Sequence, residues 1–210
     1  VISEGVESSL QAFLFTVLAQ SQMGLGDFFK RLFGPKPVKV NMLIVGLDSA
    51  GKSTIVHQFK AQETGDQQGC VVPTIGCQVE HFETQGLAMT VFDMSGQGRY
   101  RNLWTNYLSG AEAVLFVVDS SDILRLCVVK DELSALLTGG ELKRCPIAIF
   151  ANKMDLPGAL PQAELARRLG LTKMLRTWKW SIFATNALTG EGLEEGAKWL
   201  SSHLNPNHTQ

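Results

Sequence analysis

The chain is poor in residues that announce chemistry of their own. Its four cysteines (Cys70, Cys77, Cys127, Cys145) form no C-x-x-C pair and show no metal-ligand spacing. Reduced thiols in a cytosolic compartment are the plainer reading. The histidines, His57, His81, His203 and His208, lie beside no acid–nucleophile pattern and read as surface or packing residues. A formal net charge of −1 leaves no electrostatic footprint for nucleic acid. No stretch reaches the roughly 20 apolar residues of a membrane span. Internal repeats and low-complexity segments are missing as well. What remains is 210 residues, 45% hydrophobic and 19% charged, enough for one α/β domain with a proper core.

From Val38 onward, short apolar runs alternate with segments of helical period. VKVNMLIVG reads as a strand and KSTIVHQFKAQ as a helix, followed by a polar loop through ETGDQQG. CQVEHFE and LAMTVFD flank TQG, whose glycine suits a hairpin. AVLFVVD and PIAIFAN are continuous in Val, Ile and Phe, as strands buried on both faces must be, and WSIFAT reads as the last strand. Helical patterns occupy about 122–138, 161–169 and 191–204. This alternation predicts a six-stranded, mostly parallel sheet with helices on both faces and one antiparallel hairpin. In such sheets ligands sit outside the carboxyl ends of the strands, and the polar residues of this chain gather there.

After the first strand comes GLDSAGKS, Gly46 to Ser53, matching G-x-x-x-x-G-K-[ST] between a predicted strand and a predicted helix. Glycine permits the turn that lets backbone amides converge on phosphate oxygens, and the helix adds its positive end. The loop comprises Gly46, Asp48, Ser49, Ala50, Gly51 and Lys52. Lys52 would reach the β- and γ-phosphates, the Ser53 hydroxyl would ligate Mg²⁺, and Thr54 would extend the set towards the α-phosphate. Asp48 puts a negative charge where phosphates would sit, and nothing local explains it. FANKMD ends a buried strand with Asn152, Lys153 and Asp155. A carboxylate there accepts from N1–H and the N2 amino group of guanine, whereas adenine would leave it unpaired. Asn152 would tie the base edge to the loops, the Lys153 stem would cover the purine face, and the Ala187 amide in ATNALTG would donate to guanine O6.

The stretch TVFDMSGQGRYRNLW closes another strand with an acid, a glycine and a side-chain amide. Asp93 would hold a Mg²⁺-bound water, the Gly96 amide would bond the γ-phosphate, and Gln97 would orient the attacking water as the catalytic residue. Thr74, in VPTIG, would give its hydroxyl to Mg²⁺ when the third phosphate is present. Each motif alone is weak. Four of them in the required order, each at a strand end or in an adjoining loop, predict a P-loop GTPase.

From Met23 to about Leu204 the chain resembles the Arf and Arf-like small GTPases. FDMSGQGRYRNLW, FANKMDLPGAL and GEGLEEGAKWL look most like the sixth Arf-like subfamily, the Bardet–Biedl syndrome GTPases. Ser95 stands where most Arf relatives have the first of two glycines before the glutamine. The resemblance implies a GTP/GDP switch that recruits a BBSome-type coat to membranes for ciliary or flagellar trafficking. It also implies an exchange factor and an activating protein as partners. Its expected location is cytoplasmic and peripheral-membrane, at the cilium or flagellum base and the ciliary membrane. An effector surface is expected at Cys77, Phe92 and Tyr107, with Cys77 replacing the family's usual aromatic.

MGLGDFFKRLFGPKP places Leu25, Phe28, Phe29, Leu32 and Phe33 at spacings 0, 3, 4, 7 and 8, one face of a helix over 23–34 that Gly34 and Pro35 stop. Basic flanks favour an anionic lipid surface, and the resemblance implies release of this helix in the GTP state. Phe28 occupies the position where a myristoylation signal wants Ser or Thr, so no myristoyl group is expected. Residues 1–22 read as an over-extended reading frame or a cloning remnant ahead of Met23, the alternative being an extra helix of a natural isoform. A GTPase domain is expected over 38–204, with a short tail at 205–210. Three rival readings stay open on the residues. One is a nucleotide-loaded binding module with negligible hydrolysis. Another is a P-loop kinase or ATPase, against which Asp155 stands. The third is an Arf-like role in Golgi or endosomal traffic.

Overall fold

A computed structural model describes residues 38–64, 74–84, 87–98, 103–140, 142 and 145–204. The leader, the amphipathic helix with Leu25, Phe28, Phe29, Leu32 and Phe33, the tail and the tip of the hairpin lie outside the described residues.

The sheet has six strands: β1 (Val38–Val45), β2 (Cys77–Thr84), β3 (Leu87–Met94), β4 (Ala113–Asp119), β5 (Ile147–Asn152) and β6 (Trp180–Ala184), in the order β2-β3-β1-β4-β5-β6. Every pairing is parallel except the β2–β3 hairpin, where Cys77 faces Met94 and Thr84 faces Leu87. All six residues of β5 and the first six of β4 are buried. Strands covered on both faces need apolar side chains at every position, which accounts for their unbroken Val-Ile-Phe runs.

Alternation along these strands feeds two cores. Leu43, Val45, Val114, Phe116 and Ile149 point to one face, Met42, Ile44, Leu115, Val117 and Phe150 to the other. The first face is covered by α3 (Leu126–Thr138), α4 (Gln162–Leu169) and the short α5 (Leu171–Met174), through Leu133, Leu165 and Leu171 among others. The second is covered by α1 (Lys52–Thr64) through Ile55 and Phe59, and by α6 (Leu193–Leu204) through Leu193 and Leu200. The remaining helix, α2 (Thr105–Leu108), follows the second polar strand end.

The helical pattern expected from 122 begins instead as a 3-10 turn, Ile123–Arg125, because the Asp122 carboxylate accepts from the Arg125 amide and holds that turn tight. Neither α2 nor α5 has a sequence signal; four residues are too few to establish a period. Since β1 lies between β3 and β4, the chain leaves the centre of the sheet in both directions. The carboxyl end of β1 is therefore a topological switch point, where a crevice must open.

Candidate functional site

The loop Gly46–Lys52 stands at that crevice and leads into α1. Lys52 is buried, and its ammonium donates to the carbonyl oxygens of Gly46 at 3.1 Å and Leu47 at 2.9 Å, so it points back across the loop mouth. Gly51 has φ 99°, and a Cβ there would lie 2.3 Å from Asn152 Nδ2. Both the conformation and the space demand glycine. Among the described residues, the non-glycine positions with positive φ are Ser49 (60°) and Lys153 (64°), one in this loop and one after β5. Such strain is held only where surrounding structure imposes it, and it tends to collect at functional sites.

Three segments meet beside Ser53. Its hydroxyl donates to Asp93 Oδ2 at 2.5 Å and lies 2.9 Å from the Thr74 hydroxyl, which itself donates to Asp93 Oδ2 at 3.1 Å. Asp93 Oδ1 is buried and has no hydrogen-bond partner. Burial pushes the Asp93 carboxyl above its usual range, and the Ser53 hydrogen bond, the Lys52 charge and the Thr74 hydroxyl oppose this without cancelling it. Two hydroxyls and a carboxylate with an orphaned oxygen are a hard-oxygen donor set, and it fits Mg²⁺.

The next segment is packed onto the loop. A Cβ on Gly96 would fall 2.2 Å from both Asp48 N and Leu47 C, so its bare backbone lies against that peptide. Ser95 is buried; its amide donates to Gly76 O at 2.8 Å and its carbonyl accepts from Trp104 Nε1 at 3.2 Å. The segments carrying Thr74 and Gly96 are thus hydrogen-bonded to each other. Gln97 follows, half-buried, with its amide 3.4 Å from Ser95 Oγ.

At the other end, Asn152 is a hub. Its Nδ2 donates to Ala50 O at 2.8 Å, and its Oδ1 accepts from the Ala187 amide at 3.0 Å and the Thr185 hydroxyl at 3.3 Å. The Ala187 amide expected to face a base is therefore already engaged by Asn152. Lys153 Nζ pairs with Asp119 at 2.6 Å. Burial would raise the Asp119 carboxyl, but the hydrogen bonds from Lys153 and Ser121 outweigh it and hold it low. Asp155, exposed, lines a cleft of about 130 Å³ together with Gly51, Thr54, Lys153, Leu156 and Leu188.

The Phe92 and Tyr107 rings lie tilted to each other with centroids 5.2 Å apart, and Cys77 and Tyr107 are close enough to perturb each other's titration, so the three expected surface residues form one group. Burial raises the Cys77 thiol above its ordinary range. Ile75 and Val79 stand exposed on the same edge strand or just before it.

Sequence reasoning missed Arg125. It reaches from the 3-10 turn to Asp48, Nη1 to Oδ2 at 3.1 Å and Nη2 to the carbonyl at 3.4 Å, and also pairs through Nε with Asp122. The unexplained acid of the loop has a guanidinium beside it. The two are 77 positions apart, so no local spacing could reveal the pair.

Comparison with known proteins decides the family. Residues 25–204 match the ADP-ribosylation factor family.

The chain belongs to the Arf family.

This Arf protein is 46% identical over 184 residues to ADP-ribosylation factor-like protein 6 of Danio rerio, covering 87% of this chain and 97% of that protein. The proteins of the same name from Caenorhabditis briggsae and Caenorhabditis elegans are 44% and 43% identical over 184 residues, with 87% of this chain and 95% of each covered. A solved structure, the Arl6 BBS3 small GTPase from Trypanosoma brucei with bound nucleotide analogue GppNp, superimposes with a TM-score of 0.73 at 40% identity, covering 80% of this chain and 100% of that one. The Arf chain described here is accordingly a GTP-hydrolysing small GTPase with GTP or GDP and Mg²⁺ as its ligands. No described helix is long and apolar enough to cross a membrane.

Proposed function

We propose that this Arf-family GTPase is a membrane-recruited switch whose GTP state gathers a BBSome-type coat for ciliary or flagellar membrane-protein trafficking. The observation that carries the switch is the junction of Ser53, Thr74 and Asp93, three chain segments converging on one carboxylate with a spare oxygen. Bound there, Mg²⁺ would neutralise charge on the phosphates. Ser53 and Thr74 would offer their hydroxyls to it, and Asp93 would act through a water. Lys52 and the amides of Asp48, Ser49, Ala50 and Gly51 would bind the phosphates, and Thr54 would complete the set. Asn152, Lys153 and Asp155 would select guanine, and the Ala187 amide, donating to Asn152, would hold that side chain in place.

Gly96 would sense the third phosphate, because its backbone abuts the phosphate loop. Gln97 would hold the attacking water. Loss of the third phosphate removes the reason for Thr74 and Gly96 to stay on the loop, and the hydrogen bond between Ser95 and Gly76 makes them leave together. Turnover without an activating protein would be slow; the small GTPase Ras manages only about 10⁻⁴ s⁻¹ unaided. Cys77, Phe92 and Tyr107 would face the coat, and the helix bearing Leu25, Phe28, Phe29, Leu32 and Phe33 would enter the lipid surface. The coat and the cilium are suggested by similarity to proteins named Arf-like protein 6 and, in Trypanosoma, BBS3.

Gln97→Leu tests this reading. GTP-loaded, it should hold GTP without turnover, float with anionic vesicles, and capture BBSome subunits that the GDP-loaded wild type does not. Equal flotation and equal capture in both nucleotide states would refute it.

A further inference from the structure

We propose that Arg125 is a positioning residue for GTP: by neutralising the Asp48 carboxylate it lets the phosphate loop accept a third phosphate. The inference rests on the nucleotide-site reading above and concerns one ion pair within it. Asp48 is the acid of a loop built to receive anions, and its own amide is the group against which Gly96 lies. If the Gly96 amide meets the third phosphate, the Asp48 residue stands beside that phosphate. An uncompensated carboxylate at that point repels GTP more than GDP, because GTP carries the additional charge there.

Arg125 is placed to offset that charge. Its guanidinium touches both the carboxylate and the carbonyl of Asp48. On its other side Asp122 accepts from Nε, and the same carboxylate accepts from the Arg125 amide at 3.3 Å. A planar fork held from two directions keeps one orientation, which a lysine could not reproduce. The head group is anchored, so it is not a finger free to swing to the reacting atoms. The alternative is an ordinary surface ion pair, since both side chains are partly exposed, at 36% and 43%. An ordinary pair contributes to stability alone and affects both nucleotides equally.

The two cases separate on a ratio. Affinities of the full chain for fluorescent GDP and for a non-hydrolysable fluorescent GTP analogue are measured in Mg²⁺ for wild type, Arg125→Gln, Asp48→Asn and the double variant. Arg125→Gln should weaken the GTP analogue relative to GDP by about fivefold, the effect of one added charge several ångströms away at intermediate dielectric. Adding Asp48→Asn should restore the wild-type ratio, since the charge being masked is gone. A ratio unchanged in Arg125→Gln, or one left depressed in the double variant, overturns the proposal. Because each ratio is taken within one preparation, partial unfolding of a variant cancels. A wild-type chain that bound neither nucleotide would overturn the nucleotide reading itself, and this proposal with it.

Discussion

Asn152 gives the sharpest test of how the site is held together. Its side chain spans two loops, donating to Ala50 O and accepting from the Ala187 amide and the Thr185 hydroxyl, and it is 1% exposed. Truncation to alanine strands the buried Ala187 amide, a loss of about 1–3 kcal/mol, and removes a hydrogen bond from Ala50 O at about 1 kcal/mol. The Thr185 hydroxyl can rotate and adds little. The sum, about 2–4 kcal/mol, should lower the melting temperature of the GDP-bound protein by roughly 6–12 °C. Asn152→Asp separates hydrogen bonding from mere packing. It keeps the acceptor for Ala187 but sets a buried carboxylate oxygen where Nδ2 now lies, 2.8 Å from the Ala50 carbonyl. Two oxygens at that distance repel, so Asn152→Asp should melt below Asn152→Ala. Thermal melts at matched GDP and Mg²⁺ read both variants. An alanine variant within about 1 °C of wild type, or an aspartate variant more stable than the alanine one, would refute the reasoning.

Gly96→Ala places a methyl group into backbone atoms that cannot rotate away, so the segment carrying Gln97 must lift off the phosphate loop. GDP binding should survive while single-turnover GTP hydrolysis falls by at least about tenfold; unchanged hydrolysis would show that the observed packing is irrelevant to turnover. For Asp93 the expected signs oppose each other. Burial raises its carboxyl above the ordinary value of 3.8, so the folded chain binds its proton more tightly than the unfolded one. Stability then falls as pH rises through the raised value. Asp93→Asn should therefore stabilise the GDP-loaded, EDTA-treated protein at neutral pH by about 1 kcal/mol, a gain that shrinks as pH falls through the raised value towards the ordinary 3.8. It should also weaken Mg²⁺-dependent retention of nucleotide. Melting curves across pH and nucleotide release with and without Mg²⁺ check both halves.

How much of this was legible varies by element. The apolar runs of β4 and β5 read as buried strands because burial on both faces leaves no polar option. The turn of the glycine-lysine-serine loop between a strand and a helix was legible because its backbone demands are local. The 3-10 turn and the short α2 and α5 were not legible, since a single turn carries no period and its form depends on what it packs against.

By itself the sequence determined which chemical groups stand at the strand ends: a lysine, two hydroxyls, an acid, a bare amide, and an Asn-Lys-x-Asp set. Each follows from neighbours a few residues away, and local spacing records such constraints. Only the tertiary structure decided that Ser53, Thr74 and Asp93 share one corner, that Asn152 engages the Ala187 amide, and that Arg125 covers Asp48. Those partners lie between 19 and 77 positions apart. Strand order and helix packing alone bring them together, and neither leaves a periodic trace in the chain.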